Sequence, residues 1–295
     1  MNNILIKIRS TFNRLGFDIK RIHNLKHIDC DKNNFLPERE RASLKIYSRI
    51  AYLPISKGRS LPIHTLNNDG YHPFIYAATR ALKLRSEERY DFIKKILKEY
   101  YDLVSPESAG HLFDFLKESK LYDYPTWAVI MPWQVEDIDF WMNHVRETVK
   151  LENQIKHDIN SGWAWTGPSD QNKLSIETKR LSVLLDSILI NGYKRHNGKD
   201  GDINATILYK DNNEWVWQAS AAQHRACVLS ALGRKSIQVR VTKYVKRNEV
   251  ASWPQVINGF FTVDEALNIF DKIFDGNFDE VCKKWYDYVN KKNKL

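Results

Sequence analysis

The stretch from Gln218 to Gly233, followed by alternating apolar residues over 237–241, constrains the fold most strongly. It predicts a polar turn that leads into a short helix, and then a strand that returns to a sheet. The small residues Ser220–Ala222 allow a ligand to approach the backbone, and Arg225 adds a positive charge beside them. Because the first amides of a helix are suited to anions, this stretch predicts a phosphate site, although a plain helix start has the same pattern.

A second stretch, Leu181–Tyr193, has the pattern Leu-x-x-Leu-x-x-Ser-Ile-x-x-x-Gly-Tyr. It predicts a helix that begins near Ser175 and ends at Gly192, since glycine is a common helix stop. Residues 205–209 and 214–218 then predict a β-hairpin whose second strand leads directly into the helix start.

Together the two stretches resemble the ParB/sulfiredoxin-like superfamily over residues 174–243. The resemblance implies a C-terminal ParB/sulfiredoxin-like small mixed sheet with helices. Because the pattern from Pro73 to Lys120 predicts helices, the expected fold is α+β with a helical N-terminal half. In that superfamily, the turn before the His-Arg helix binds nucleotide phosphates. By resemblance, the residues expected to bind the cofactor are Ser220, Ala222, Gln223, His224 and Arg225.

The chain departs from sulfiredoxins at the turn itself. Gln223 stands where sulfiredoxins have their redox cysteine, which argues against sulfiredoxin activity. Cys227 falls in an apolar helical stretch, where it is expected to be a small core residue. The chain is more similar to the free-amino-acid kinase branch, which implies a nucleotide (ATP, ADP or CTP) with Mg²⁺.

A kinase also needs a base for the acceptor hydroxyl. The resemblance nominates Glu177, which could equally be a helix-cap carboxylate paired with Arg180 or Lys179. Arg180 would orient a phosphate or simply stabilise that carboxylate, and His224 completes the predicted catalytic set. Asp186 is a weaker choice for the base.

Two further features leave alternatives open. The acidic residues Glu136, Asp137 and Asp139 suit the first turn of a helix, and a Mg²⁺ site is the less favoured interpretation, so no metal ligand is assigned. Trp163 and Trp165 alternate in a loop, so that one could face the core and the other a pocket.

The formal net charge of +9 fits a polyanion, an anionic membrane surface or a phosphorylated substrate. Three widely spaced cysteines without a CxxC pair favour a reducing cytoplasm. Residues 1–22 predict a basic amphipathic helix, which either packs on its own domain or contacts the inner face of the membrane peripherally.

The predicted organisation has three parts: a mostly helical N-terminal region (1–125), the ParB/sulfiredoxin-like ligand-binding domain (126–250) and a C-terminal helical extension (251–295). Within the second part, Thr126–Met131 predicts a short strand, and in the third part the Thr262-x-x-Glu265 capping box predicts a helix start.

These patterns favour a nucleotide-dependent phosphotransferase, a small-molecule kinase that acts on a sugar or amino-acid-like hydroxyl. A weak similarity of the N-terminus to enzymes of surface-polysaccharide assembly points to that pathway. Two alternatives stay open: a ParB-like nucleic-acid-binding protein or nuclease, and glycosyl transfer from a phosphorylated or nucleotide-activated sugar.

Overall fold

A computed structural model describes residues 27–29, 49–60, 64–153, 159–195, 201–210 and 214–294. Its seven-stranded sheet has the order β1-β2-β7-β5-β6-β3-β4 and mixes parallel with antiparallel pairs. The strands are β1 (His27–Asp29), β2 (Arg49–Pro54), β3 (Gly58–Ser60), β4 (His64–Thr65), β5 (Asn204–Tyr209), β6 (Trp215–Ala221) and β7 (Ser236–Lys246).

The sheet is curled, and the connection between β2 and β3 shows why. Three strands separate β2 from β3, so in a flat sheet they would lie about 19 Å apart, at about 4.8 Å per strand spacing. Only a three-residue 3₁₀ turn, Ile55–Lys57, joins them along the chain. Even fully extended, the four steps from Pro54 to Gly58 span at most about 14 Å. The short connection is therefore possible only if the sheet bends back on itself.

Helices cover the sheet and extend beyond it. They are α1 (Pro73–Ala81), α2 (Ser86–Leu103), α3 (Ala109–Leu112), α4 (Ile138–Asn153), α5 (Gln171–Asn191), α6 (Gln223–Ala231), α7 (Pro254–Ile257), α8 (Val263–Asp275) and α9 (Asp279–Asn293). α1 packs against α2, α5 and α6, and α5 packs against both α2 and α6. This arrangement brings the two stretches singled out in the sequence into direct contact.

One large hydrophobic core joins all three predicted parts of the chain. It includes Leu53 from β2, Trp217 from β6 and Trp285 from α9, each without exposed surface. The boundaries at 125/126 and 250/251 stay predictions, whereas the described parts of the three segments share one interior.

The chain is a mixed α/β protein, and the hairpin, the helix after it and the strand β7 are confirmed. The capping box is also confirmed, because Glu265 N–H donates to Thr262 Oγ1 over 3.2 Å while Thr262 N–H donates to the Glu265 carboxylate over 2.8 Å.

Two details differ from the expectation. The strand predicted at Thr126–Met131 is wrong: Thr126–Ala128 is a 3₁₀ turn between Pro125 and Pro132, and a proline on each side leaves little room for a strand that pairs. The sheet also includes β2, β3 and β4, so it is not confined to the C-terminal half.

The predicted basic helix at 1–22 lies outside the described residues. Among the helices that the structure describes, none is both long enough and apolar enough to cross a membrane.

Candidate functional site

Glu177 is the centre of a charged cluster on α5. Asp170 caps this helix by accepting the Lys173 N–H over 2.7 Å, and the side chains of Lys173 and Arg180 fall on the same helix face as Glu177. Lys173 Nζ lies 2.7 Å from Glu177 Oε1, and Arg180 Nη1 lies 3.0 Å from the same oxygen. Glu177 has no exposed surface and Lys173 is 3% exposed, so the pair is shielded from solvent.

His224, at the start of α6, completes the cluster from the other helix. Its Nε2 lies 2.7 Å from Glu177 Oε2. Because a carboxylate only accepts hydrogen bonds, Nε2 carries the hydrogen and Nδ1 presents its lone pair in the neutral ring. Within the described residues, no hydrogen bond reaches Nδ1. The predicted catalytic residues Glu177, Arg180 and His224 are thus brought together.

The cluster carries more positive than negative charge. Burial alone would raise the pKa of Glu177, but Lys173, His224 and Arg180 together hold this pKa below its ordinary value of 4.5. Glu177 is therefore a carboxylate at neutral pH. Its single negative charge faces both Lys173 and Arg180, so the site has an excess of positive charge that suits an anionic ligand.

An aromatic wall flanks His224. The His224 ring lies 5.2 Å from the Trp165 ring and 5.0 Å from the Phe74 ring, centroid to centroid. Phe74 is fully buried and Trp165 is half-buried. Of the two loop tryptophans, Trp165 thus lies beside the candidate site, whereas Trp163 packs against a smaller separate apolar cluster.

The loop that carries Trp165 is fixed against the end of α2. Tyr100 Oη donates to Trp165 O over 2.6 Å, Tyr101 Oη donates to Ala164 O over 2.9 Å, and Gly167 N donates to Val104 O over 2.7 Å. The position of the aromatic wall is therefore set by α2 rather than by the loop alone.

The start of α6 has the form of an anion site. Ala222, the residue before the helix, has the left-handed backbone conformation with φ of 56°, and no side chain of the described residues caps the helix. Ser220 is exposed, Gln223 is buried, and His224 is the second helical residue. The start of α6, which no side chain of the described residues caps, thus lies beside the Glu177 cluster.

Arg225 has a structural role. It is 8% exposed, and its guanidinium donates to the carbonyl oxygens of Arg195, over 3.4 Å, and of Gly201. Nearby, Arg195 and Arg240 both pair with the buried Asp202. Arg225 as a phosphate ligand stays a prediction, whereas Arg180 and Lys173 both share the Glu177 carboxylate with His224.

Behind the cluster lies a buried polar group that sequence reasoning did not find. His72 Nε2 lies 3.1 Å from Ser60 Oγ and 3.3 Å from Cys227 Sγ. Burial raises the pKa of the Cys227 thiol, so this cysteine is a core residue, as predicted, and not a nucleophile.

The remaining candidates have structural partners. Asp186 pairs with Arg89 and accepts from Ser86, so it lies on the side of α5 that faces α2. Asp137 Oδ1 accepts the Phe140 N–H over 2.8 Å at the start of α4, in agreement with the helix-start interpretation. In the part of the chain that the structure describes, no group of three His, Cys, Asp or Glu side chains could hold a metal ion.

The chain matches no protein-family model, and neither the curated proteins nor the solved structures contain a match to it.

Lys173 is the site residue that the sequence analysis missed. The helix begins at Gln171 and not near Ser175, so Lys173 lies on it, four positions before Glu177 and on the same face. Trp165 was one of the two loop tryptophans for which a pocket was considered, whereas Phe74 and Tyr101 had no local signal, since they come from elements distant along the chain.

Proposed function

We propose that the chain binds a phosphorylated ligand, a nucleotide such as ATP, ADP or CTP, at the start of α6, and transfers its terminal phosphoryl group to a small hydroxyl compound. The observation that carries the proposal is the contact between Glu177 and His224 beside an uncapped helix N-terminus. The resemblance to the ParB/sulfiredoxin-like superfamily, and to its kinase branch, belongs to the same proposal.

Phosphate binding follows from the excess of positive charge. Arg180, with a side chain 26% exposed, is the cation of the cluster that a ligand reaches from solvent, whereas Lys173 is enclosed. A guanidinium offers two parallel donors to phosphate oxygens, and the first amides of α6 add donors with the helix dipole. Together they would hold the terminal phosphoryl group, which is transferred, and the phosphate that leaves with the nucleotide.

His224 is the proposed acid–base group. In the transfer, the acceptor oxygen attacks the terminal phosphorus, the bond from that phosphorus to the bridging oxygen breaks, and the nucleotide leaves with the electron pair. The hydroxyl proton passes to His224 Nδ1, and the imidazolium that forms is stabilised by the Glu177 carboxylate on Nε2. Glu177 thereby becomes a positioning residue instead of the base first considered.

The described residues do not form a Mg²⁺ site of their own. Both oxygens of Glu177 are taken by Lys173, Arg180 and His224, and no other carboxylate joins them. Mg²⁺ keeps several waters and binds through one or two carboxylates together with substrate phosphates, so a Mg²⁺ ion that accompanies the nucleotide would be held largely by the nucleotide. Among the described residues, the positive charge at the site comes from side chains.

Thermal unfolding with ATP, ADP and CTP tests binding. A ligand that binds only the folded chain stabilises it by about 2.7 kcal/mol at a concentration 100 times Kd, so at least one nucleotide should raise the Tm. Arg180→Gln should reduce that increase because it removes the accessible cation. If no nucleotide changes the Tm, the proposed function is wrong.

His224→Gln tests the chemical role. It should lower phosphate release or transfer by at least tenfold while the nucleotide still raises the Tm, since general acid–base catalysis contributes on the order of 100-fold or more. His144→Gln is the matched control, because His144 lies exposed on α4 away from the cluster. Equal activity of the two variants would remove His224 from the mechanism.

A further inference from the structure

α6 also borders a concave region, on a side different from the one that carries His224. A cavity of about 200 Å³ opens between the end of α6, the start of β7 and the middle of β2. Leu229 lines it, and Leu229 is five positions after His224, which is about 140° around the helix. The cavity therefore does not share the side of α6 that His224 presents to Glu177.

The cavity has an apolar base and aromatic sides. Leu229 and Ile237, which are 1% and 3% exposed, form its base, and the side chains of Tyr52 and Tyr193 also line it. The Gln238 amide donates to the Tyr52 hydroxyl, which fixes the orientation of both groups. These walls suit a flat apolar body, since aromatic rings favour stacked or edge contacts.

The cavity is also lined by a cationic side chain. Arg234 lines the cavity and is exposed, and its backbone is fixed in the turn after α6, where Arg234 N donates to Leu229 O over 3.2 Å. No ion pair or hydrogen bond of its guanidinium exists within the described part of the chain. This differs from Arg225 and Arg240, which are both engaged with neighbouring groups.

We propose that this cavity binds a small organic carboxylate with a flat apolar body, such as an aromatic acid, with Arg234 as the partner of the carboxylate. A guanidinium binds a carboxylate through two parallel hydrogen bonds, and the polar Ser236 lies beside it in the lining. The volume is below the roughly 300 Å³ at which sites for drug-sized molecules begin, so the ligand is small. An inorganic anion alone would leave both tyrosine rings without a contact.

Calorimetric titration of the full chain with benzoate, benzamide and inorganic phosphate tests this site. Benzoate should bind, and benzamide, which has the same shape without the charge, should bind at least tenfold more weakly. Binding of phosphate without benzoate, equal binding of benzoate and benzamide, or no binding of benzoate at millimolar concentration would each overturn the proposal.

Two neighbouring variants locate the ligand. Arg234→Gln should weaken benzoate binding at least tenfold, whereas Lys235→Gln should leave it unchanged, because Lys235 is equally exposed but does not line the cavity. An equal effect of the two variants would show that only general surface charge matters. Nucleotide binding should be the same in both, so this test and that of the phosphotransferase fail independently.

Discussion

At the scale of single residues, the cluster depends on Glu177, because its buried carboxylate pairs with Lys173, Arg180 and His224. Glu177→Gln keeps the shape but removes the charge, which leaves Lys173 buried without a counter-ion. Removing one partner of a buried ion pair costs about 3–5 kcal/mol, so the free energy of unfolding in urea at pH 7 should fall by about that amount.

Asp102→Asn is the control for that measurement. It breaks the exposed pair with Lys98 on α2, whose side chains are both more than half exposed, and exposed pairs contribute little. A loss of stability no larger for Glu177→Gln than for Asp102→Asn would contradict the buried-pair argument.

The residues of this cluster show which parts of a site can be predicted from a sequence. Glu177, Arg180 and His224 were predicted from the resemblance to the ParB/sulfiredoxin-like superfamily, whereas Lys173 was missed because the helix begins at Gln171, before its predicted start near Ser175. The role of each group could not be predicted, because it depends on which oxygen of Glu177 each cation reaches, and that is decided by the packing of α5 on α6.

At the scale of elements, the loop that carries Trp165 depends on a close approach to α2. A Cβ built on Gly167 would lie 1.9 Å from the Tyr101 carbonyl oxygen, which is backbone and cannot turn away. Gly167→Ala should therefore lower the free energy of unfolding by at least about 3 kcal/mol, the upper part of the range for overpacking. Denaturant unfolding measures this directly.

Gly201→Ala is the matched control, since a Cβ there meets nothing within 4 Å. If Gly167→Ala is as stable as Gly201→Ala, the loop does not need its contact with α2. If the loop is displaced, Trp165 no longer contributes to the aromatic wall beside His224, so ligand binding should weaken in parallel with stability.

Elements differ in how far the sequence determined them. The hairpin and the capped helix α8 were predictable because turn and cap residues act locally. The run Thr126–Met131 was not, because a short apolar run fits a strand or any buried segment, and tertiary packing chooses. The closure of the sheet by β2 and β3 has no local signal at all.

At the scale of the whole molecule, buried histidines make stability depend on pH. Burial lowers the pKa of His64 from 6.5 to about 3 and holds the pKa of His72 well below its ordinary value. Both folded-state values are below the unfolded ones, so the stabilisation is present above pH 6.5 and is lost as the pH falls. Each histidine contributes a slope of about 1.4 kcal/mol per pH unit.

Unfolding in urea at intervals from pH 7.5 to 5 measures this slope. The range lies above the ordinary pKa of carboxylates, so Glu177 adds little to it. Tyr100, Ser60 and Cys227 hydrogen-bond the two histidines and are uncharged at these pH values, while the His64 and His72 rings lie 5.2 Å apart and His224 also lowers the pKa of His72. His64→Gln should reduce the slope by about 1.4 kcal/mol per pH unit, which corresponds to one proton. A free energy of unfolding that does not change with pH in the unmodified chain would contradict the argument.

The three-residue connection between β2 and β3 also bears on synthesis and folding order. Both strands are made well before their partners β7 and β6, which lie far along the chain. Until then, their unpaired edges are open to other chains, and closing such a distant contact is slow. A nascent chain that stalls before β6 is therefore the form of this protein most exposed to aggregation.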